Sequence, residues 1–166
     1  MARFTWRCGS VPEGMEIRQV YGILFSEDGR ILLKAEKRDD GMRFSFAGGH
    51  PERFDADAFA TLVREVREEI NSSVKSPRLL GYQEVDEEDG SPLYAQVRMA
   101  ALLDEVGEIL PDPDNGETYM RLLAPPDRAI ALLGWGKVAE EQISEAVKVF
   151  EGDYCLSLSS RVEEYI

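Results

Sequence analysis

Residues Gly48 to Ser72, GGHPERFDADAFATLVREVREEINS, constrain the fold more than any other stretch of this chain. Phe59 is followed by Leu62, Val63, Val66 and Ile70, at 3, 4, 7 and 11 residues on. Each residue of an α-helix turns the chain by roughly 100°, so these side chains gather into one apolar stripe for a core. Within Arg64-Glu65-Val66-Arg67-Glu68-Glu69-Ile70, the carboxylates of Glu65, Glu68 and Glu69 share a different face, at spacings i, i+3 and i+4. Glu65 and Glu69 are like charges one turn apart, which costs an isolated helix roughly 0.2–0.5 kcal/mol. A face that repels itself calls for a cation, and a hard divalent ion such as Mg2+ takes carboxylate oxygens. Solvated helices carry similar runs. The glycine pair upstream, after the strand-like Phe44-Ser45-Phe46, sets this one apart.

These residues resemble the Nudix box, the signature of the Nudix hydrolases. Its pattern is Gly, five residues, Glu, seven residues, then Arg-Glu-apolar-x-Glu-Glu-x-Gly-apolar. Gly49 matches the opening glycine, and Arg64, Glu65, Val66, Glu68 and Glu69 match the core. Asp55 stands in place of the first Glu, with eight residues before Arg64 instead of seven. Asn71 replaces the late Gly, a mild change because Asn tolerates the left-handed conformation that ends helices, and Ser72 replaces the last apolar residue. Asp55 or Asp57 is expected to cap the helix.

The resemblance implies an α+β fold, the Nudix α/β/α sandwich, with a mixed sheet flanked by helices. It also implies Mg2+- or Mn2+-dependent hydrolysis of a diphosphate linked to another moiety. That class covers nucleotide sugars, ADP-ribose, dinucleotides and nucleoside triphosphates. Glu65, Glu68 and Glu69 would hold the metal, with the Gly49 carbonyl as a further ligand, and Arg64 would hold the carboxylates in place. The acidic run Glu84 to Asp89 reads as a solvated hairpin end, and the resemblance offers it as the alternative source of a later-loop acid for the same site. The alternative is a nucleotide-binding sensor of the same fold without turnover, against which the intact acidic core argues. Replacing Glu69 with Gln should relieve repulsion and stabilise the metal-free protein.

The rest of the chain frames this centre. A length of 166 residues suits a single domain with its own core. Residues 1–19 hold a short edge strand at Phe4-Thr5-Trp6, and residues 125–166 hold C-terminal helices and a tail. Val20–Phe25 and Ile31–Lys34 flank Asp28-Gly29, a hairpin signal. Lys37 to Gly41 reads as a polar loop, Pro77 as a boundary, and Leu79–Val85 and Leu93–Leu103 as strands. In the second of these, Tyr94, Gln96, Arg98 and Ala100 alternate with Ala95, Val97, Met99 and Ala101. Asp112 to Glu117 is not a calcium loop, since Leu123 stands where its twelfth-position Glu belongs. Thr118–Leu123 reads as a strand, Asp127–Leu133 and Val138–Phe150 as helices, and Trp135 as a packed aromatic. His50 and the tail from Cys155 receive no assignment.

A net charge of −13 excludes direct duplex DNA binding, which needs clustered Lys and Arg. It does not exclude a small phosphorylated substrate, since a bound metal inverts the local field. No apolar run approaches the roughly 20 residues of a membrane span. Two distant cysteines, Cys8 and Cys155, favour reduced thiols and a cytoplasmic protein. The reading leaves room for a homodimer.

Overall fold

The computed structural model describes residues 1–166. Strands β1 (Arg3–Cys8), β2 (Glu16–Phe25) and β3 (Ile31–Arg38) come first, followed by the short β4 (Gly41–Ser45) and β5 (Ala47–Gly49). Helix α1 (Ala58–Ile70) leads into the long strands β6 (Ser72–Asp86) and β7 (Tyr94–Val106). Then come β8 (Met120–Ala124), helices α2 (Pro126–Leu133) and α3 (Lys137–Gly152), and β9 (Glu164–Tyr165). The strands form one mixed sheet in the order β1-β6-β7-β2-β3-β8-β9, with β4 on β3 and β5 on β2. β2 and β7 run parallel, while the other pairs are antiparallel.

Alternation along the strands feeds two cores, one on each face of the sheet. Val20, Leu24 and Leu32 pack with Leu62, Val66 and Ile70 of α1. Ile23, Phe25 and Leu33 pack on the opposite face against Ala129 of α2 and Ile143 and Phe150 of α3. Helices therefore cover both sides of the sheet, as expected of an α+β sandwich. Val63 is the exception to the stripe on α1, being exposed.

The hairpin turns at Gly29, with φ +85, where a Cβ would press on Leu158 and Phe150. β2 and β3 pair over two positions only, Leu24 with Leu32 and Phe25 with Ile31. Beyond them the strands part. β2 takes β5 as its neighbour, while β3 pairs with β4 and β8.

Two boundaries differ from the sequence reading. β3 continues through Lys37 and Arg38, so the polar loop shrinks to a turn at Asp39-Asp40. Pro77 does not end a segment, because β6 runs through it with a register shift between Lys75 and Arg78. Such an irregularity is where a strand tolerates a residue with no N–H to donate. The tail returns along the hairpin: Ser159 N–H donates to the Asp28 carbonyl, and β9 extends the sheet beside β8.

Candidate active site

Helix α1 starts at Asp57, whose side chain accepts the Ala60 N–H at 2.8 Å. It ends at Asn71, which takes the left-handed conformation expected of it, with φ 43 and ψ 50. Asp57 is the cap, and Asp55 is free for another task. Arg64 places its guanidinium across Asp55, with Nε and Nη2 donating at 3.2 and 3.0 Å. The same side chain donates from Nη1 to Glu65 at 2.9 Å and Glu68 at 3.1 Å, and from Nη2 to the His50 carbonyl at 2.7 Å. The extra residue before the helix is thus absorbed by the loop while the Asp55–Arg64 contact is kept. Arg64 holds the Asp55 carboxyl down to about 2, and these acids raise the guanidinium's own pKa in return.

Glu69 is held separately. Lys34 Nζ of β3 donates to it at 2.8 Å, and the Gly48 N–H of β5 at 3.2 Å. Gly48 is required there, because a Cβ would collide with the Val20 carbonyl and Tyr21. At Gly49 a Cβ would come within 2.5 Å of the Glu65 carboxyl, so this carboxylate packs directly on glycine backbone. Burial raises the pKa of Glu65, Glu68 and Glu69. For Glu69 the Lys34 charge offsets part of this, and repulsion from Glu65 adds only a smaller contribution. The strain on this face is a cost of desolvation more than of like charges.

Glu65, Glu69, Gly48 and Gly49 line a cavity of about 810 Å3 in the mouth where β2 and β3 part. Lys34, Arg38 and Arg43 give it a basic wall, and Tyr21, Gln96 and Arg98 line it from β2 and β7. Glu68 does not line it. No three acidic, histidine or cysteine side chains converge on one point, since Lys34 engages Glu69 while Arg64 engages Glu65 and Glu68.

The loop before β8 forms the facing rim. Asp112, Asp114 and Glu117 all line the cavity, and none of them makes an ion pair. The charges of Asp112 and Asp114 help raise Glu65, and Asp114 does the same to Glu68. These are the later-loop acids at the cavity, and the run Glu84 to Asp89 supplies none of its lining. Glu84 and Asp86 are bound to Arg7 and Arg3 at the sheet edge, and Glu87 accepts the Tyr94 hydroxyl.

The NUDIX domain family matches residues 15–145. The chain is a member of the Nudix family. Its fold is similar to a Nudix hydrolase fold from Listeria monocytogenes at 20% identity and TM-score 0.60, covering 83% of this chain and 97% of that one. A mutant of the Bacillus subtilis pyrophosphohydrolase BsRppH aligns at 21% identity and TM-score 0.52, over 63% of this chain and 62% of the other. A UDP-X diphosphatase aligns at 18% and 0.55, over 86% and 66%. The chain therefore spans 62% and 66% of the length of those last two proteins. No curated protein matches it.

Of the residues named from sequence in this Nudix chain, Gly49, Glu65 and Glu69 line the cavity, while Arg64 and Glu68 lie beside them, bonded to one another at 3.1 Å. Lys34, Arg98, Tyr21 and the Asp112–Glu117 rim went unassigned. The acidity of the rim was visible, but only the tertiary fold brings it opposite α1. Trp135 is partly exposed on the cavity wall and packs edge-on against Phe46 at 5.5 Å. His50 Nδ1 lies 2.9 Å from the Arg18 carbonyl. No helix is long and apolar enough to cross a membrane, and both cysteines are free and exposed.

Proposed function

We propose that this Nudix chain hydrolyses a diphosphate linkage in a small, nucleotide-derived substrate, with Mg2+ or Mn2+, in the cytoplasm. The observation that carries the reading is the placing of two buried carboxylates, Glu65 and Glu69, side by side with glycine backbone on the wall of a cavity of about 810 Å3, large enough for a nucleotide derivative. Their oxygens and the Gly49 carbonyl are the hard donors a divalent ion takes. Such an ion, when bound, supplies charge for the phosphate oxygens and lowers the pKa of a coordinated water.

The side chains have distinct tasks. Arg64 keeps Glu65 and Glu68 in position from outside the cavity, and is a positioning residue. Lys34 neutralises Glu69 in the resting protein and turns to a phosphate oxygen when substrate is present. Arg38 and Arg43 draw the substrate in. Hydrolysis adds one water across the P–O–P bridge: its oxygen bonds to phosphorus, and the bridging oxygen leaves with the other phosphate. Asp114, which no cation engages, takes the water's proton.

A panel of ADP-ribose, NADH, nucleotide sugars, oxidised nucleotides and dinucleoside polyphosphates, assayed for phosphate products with Mg2+, tests the reading. Metal-dependent turnover of at least one is expected. Tight binding across the panel with no turnover would make the protein a sensor instead.

A further inference from the structure

Three arginines are almost wholly buried, Arg30, Arg98 and Arg121. Arg30 is paired with Asp28 and Glu164. Arg121 donates to the Ile70 and Gly107 carbonyls at 3.0 and 2.7 Å, where the end of α1 presents the negative pole of a helix. Arg98, 3% exposed, is different: it has neither a carboxylate nor a helix end among its partners. Its Nε donates to Gln142 Oε1 and its Nη2 to Gln83 Oε1, both at 2.9 Å. Nη1 reaches only the Gln96 and Val97 carbonyls, at 3.3 and 3.4 Å. The Tyr21 ring lies against it, 4.8 Å from the guanidinium carbon.

A chain with 32 acidic residues against 19 basic ones has carboxylates to spare, yet none is placed here. Burial lowers this guanidinium to about 10, which still leaves it charged at neutral pH. A buried charge without a counter-ion is expensive, and persists where something else supplies the opposite charge. Of the five N–H groups of a guanidinium, only two here make short bonds. Arg98 lines the cavity together with Tyr21, Gln83 and Gln96, so a ligand in that cavity can reach it.

Register sets the scale. Tyr21 pairs with Arg98 on one side and with Gly48 on the other. Two strand spacings therefore separate Arg98 from the backbone that holds Glu69, about 10 Å.

We propose that Arg98, with Gln83 and Tyr21, forms an oxyanion subsite that takes a phosphate or carboxylate of the substrate remote from the linkage that is cut. The proposal rests on the hydrolase reading only in placing the ligand's other end at Glu65 and Glu69. It selects substrates that carry a second anionic part besides the diphosphate held at Glu65 and Glu69. A nucleotide derivative with a further phosphate or an acidic substituent qualifies, and one whose only charge is the diphosphate does not. The supply of counter-charge by the ligand also explains why no carboxylate of the chain fills the place.

Inorganic phosphate in the presence of EDTA is the probe, because it needs neither metal nor turnover. Calorimetry on the native protein should show saturable binding. The Arg98 guanidinium 15N resonances, slowed in exchange by burial, should move along the same isotherm. Arg98→Gln should weaken binding tenfold or more, and Arg98→Lys, which keeps the charge but loses the planar fork, severalfold. Thermal melts check that each variant is folded, and the resonance shift decides the matter on native protein if neither is. No saturable binding, unmoved Arg98 resonances, or native affinity in a folded variant would overturn the subsite. Turnover with Mg2+ is scored separately, so loss of phosphate binding in Arg98→Gln without turnover in the native protein sinks the hydrolase reading alone. Native phosphate affinity in that variant beside vigorous native turnover sinks the subsite alone.

Discussion

The two acidic walls of the cavity are built on opposite plans. On α1, each glutamate is engaged by a cation: Glu65 and Glu68 by Arg64, Glu69 by Lys34. On the rim before β8, the acids are braced only by backbone and neutral groups. Asp112 accepts the Asp114 N–H at 2.8 Å, and Glu117 accepts the Tyr119 hydroxyl. Helix carboxylates held by cations have fixed positions, which suits groups that must share one ligand. Rim carboxylates held by none keep a free lone pair for a proton. Equal residue types around one cavity thus do unequal work, and ion pairing tells them apart.

The largest effect belongs to the metal. Chelation with EDTA should abolish turnover, and readdition of Mg2+ or Mn2+ should restore it; undiminished hydrolysis after chelation would reduce both walls to scaffolding. Next in size, Glu65→Gln should lower kcat by orders of magnitude and remove the Mg2+-induced rise in Tm. Asp114→Asn should lower kcat about 100-fold while keeping that rise. If the two variants lose metal response equally, the rim is a ligand wall and not a proton acceptor.

Arg64→Ala sharpens the contrast through stability. Removing the cation common to Asp55, Glu65 and Glu68 should cost about 2–3 kcal/mol, a fall in Tm of roughly 5–10 °C. Its kcat should stay above that of Glu65→Gln, because Arg64 acts through the carboxylates; a lower value would make Arg64 a participant. Glu68→Gln, which removes one carboxylate of the same helix face, should lower kcat more than Arg64→Ala does.

Smaller still is Glu69→Gln in EDTA. Burial disfavours its charge by more than Lys34 returns, so the variant should melt higher. A lower midpoint would show that the Lys34 pair outweighs desolvation. Acid titration follows the same signs. Glu65 and Glu69 have folded pKa values above the usual 4.5, so they withdraw stability as pH rises through those values. Asp55, held at about 2, contributes stability present above about 4 and lost as pH falls toward 2. Asp55→Asn should flatten that acid limb in thermal melts at pH 2–4, and an unchanged limb would assign it to other groups.

Helix α1 and its box were legible because their signal is local: a 3.6-residue stripe, a capping Asp57 and a left-handed Asn71 all lie within one short segment. The hairpin at Asp28-Gly29 was legible for the same reason. Lys34 was not, since nothing near it in sequence reveals a partner 35 residues away. Arg98 left a weaker trace. The row Tyr94, Gln96, Arg98 reads as the wet face of a strand, but α3 covers that face through Gln142. A charge in an alternating row signals burial only once the helix above it is known. The tail was silent because a two-residue strand such as Glu164–Tyr165 has no period to detect.

The fork between β2 and β3 carries a consequence for how such a cavity can drift in evolution. Lys34, Glu36 and Arg38 face the mouth because they share a parity along β3. Inserting one residue after Leu33 would turn all three away and bring Ala35 and Lys37 in. Length changes are therefore forbidden on the strands that carry the basic wall and on the helix that carries Glu65 and Glu69. The rim from Asp112 to Glu117 is a loop and obeys no such parity. New substrates are most readily acquired there, by trimming or lengthening one turn while the fork stays fixed.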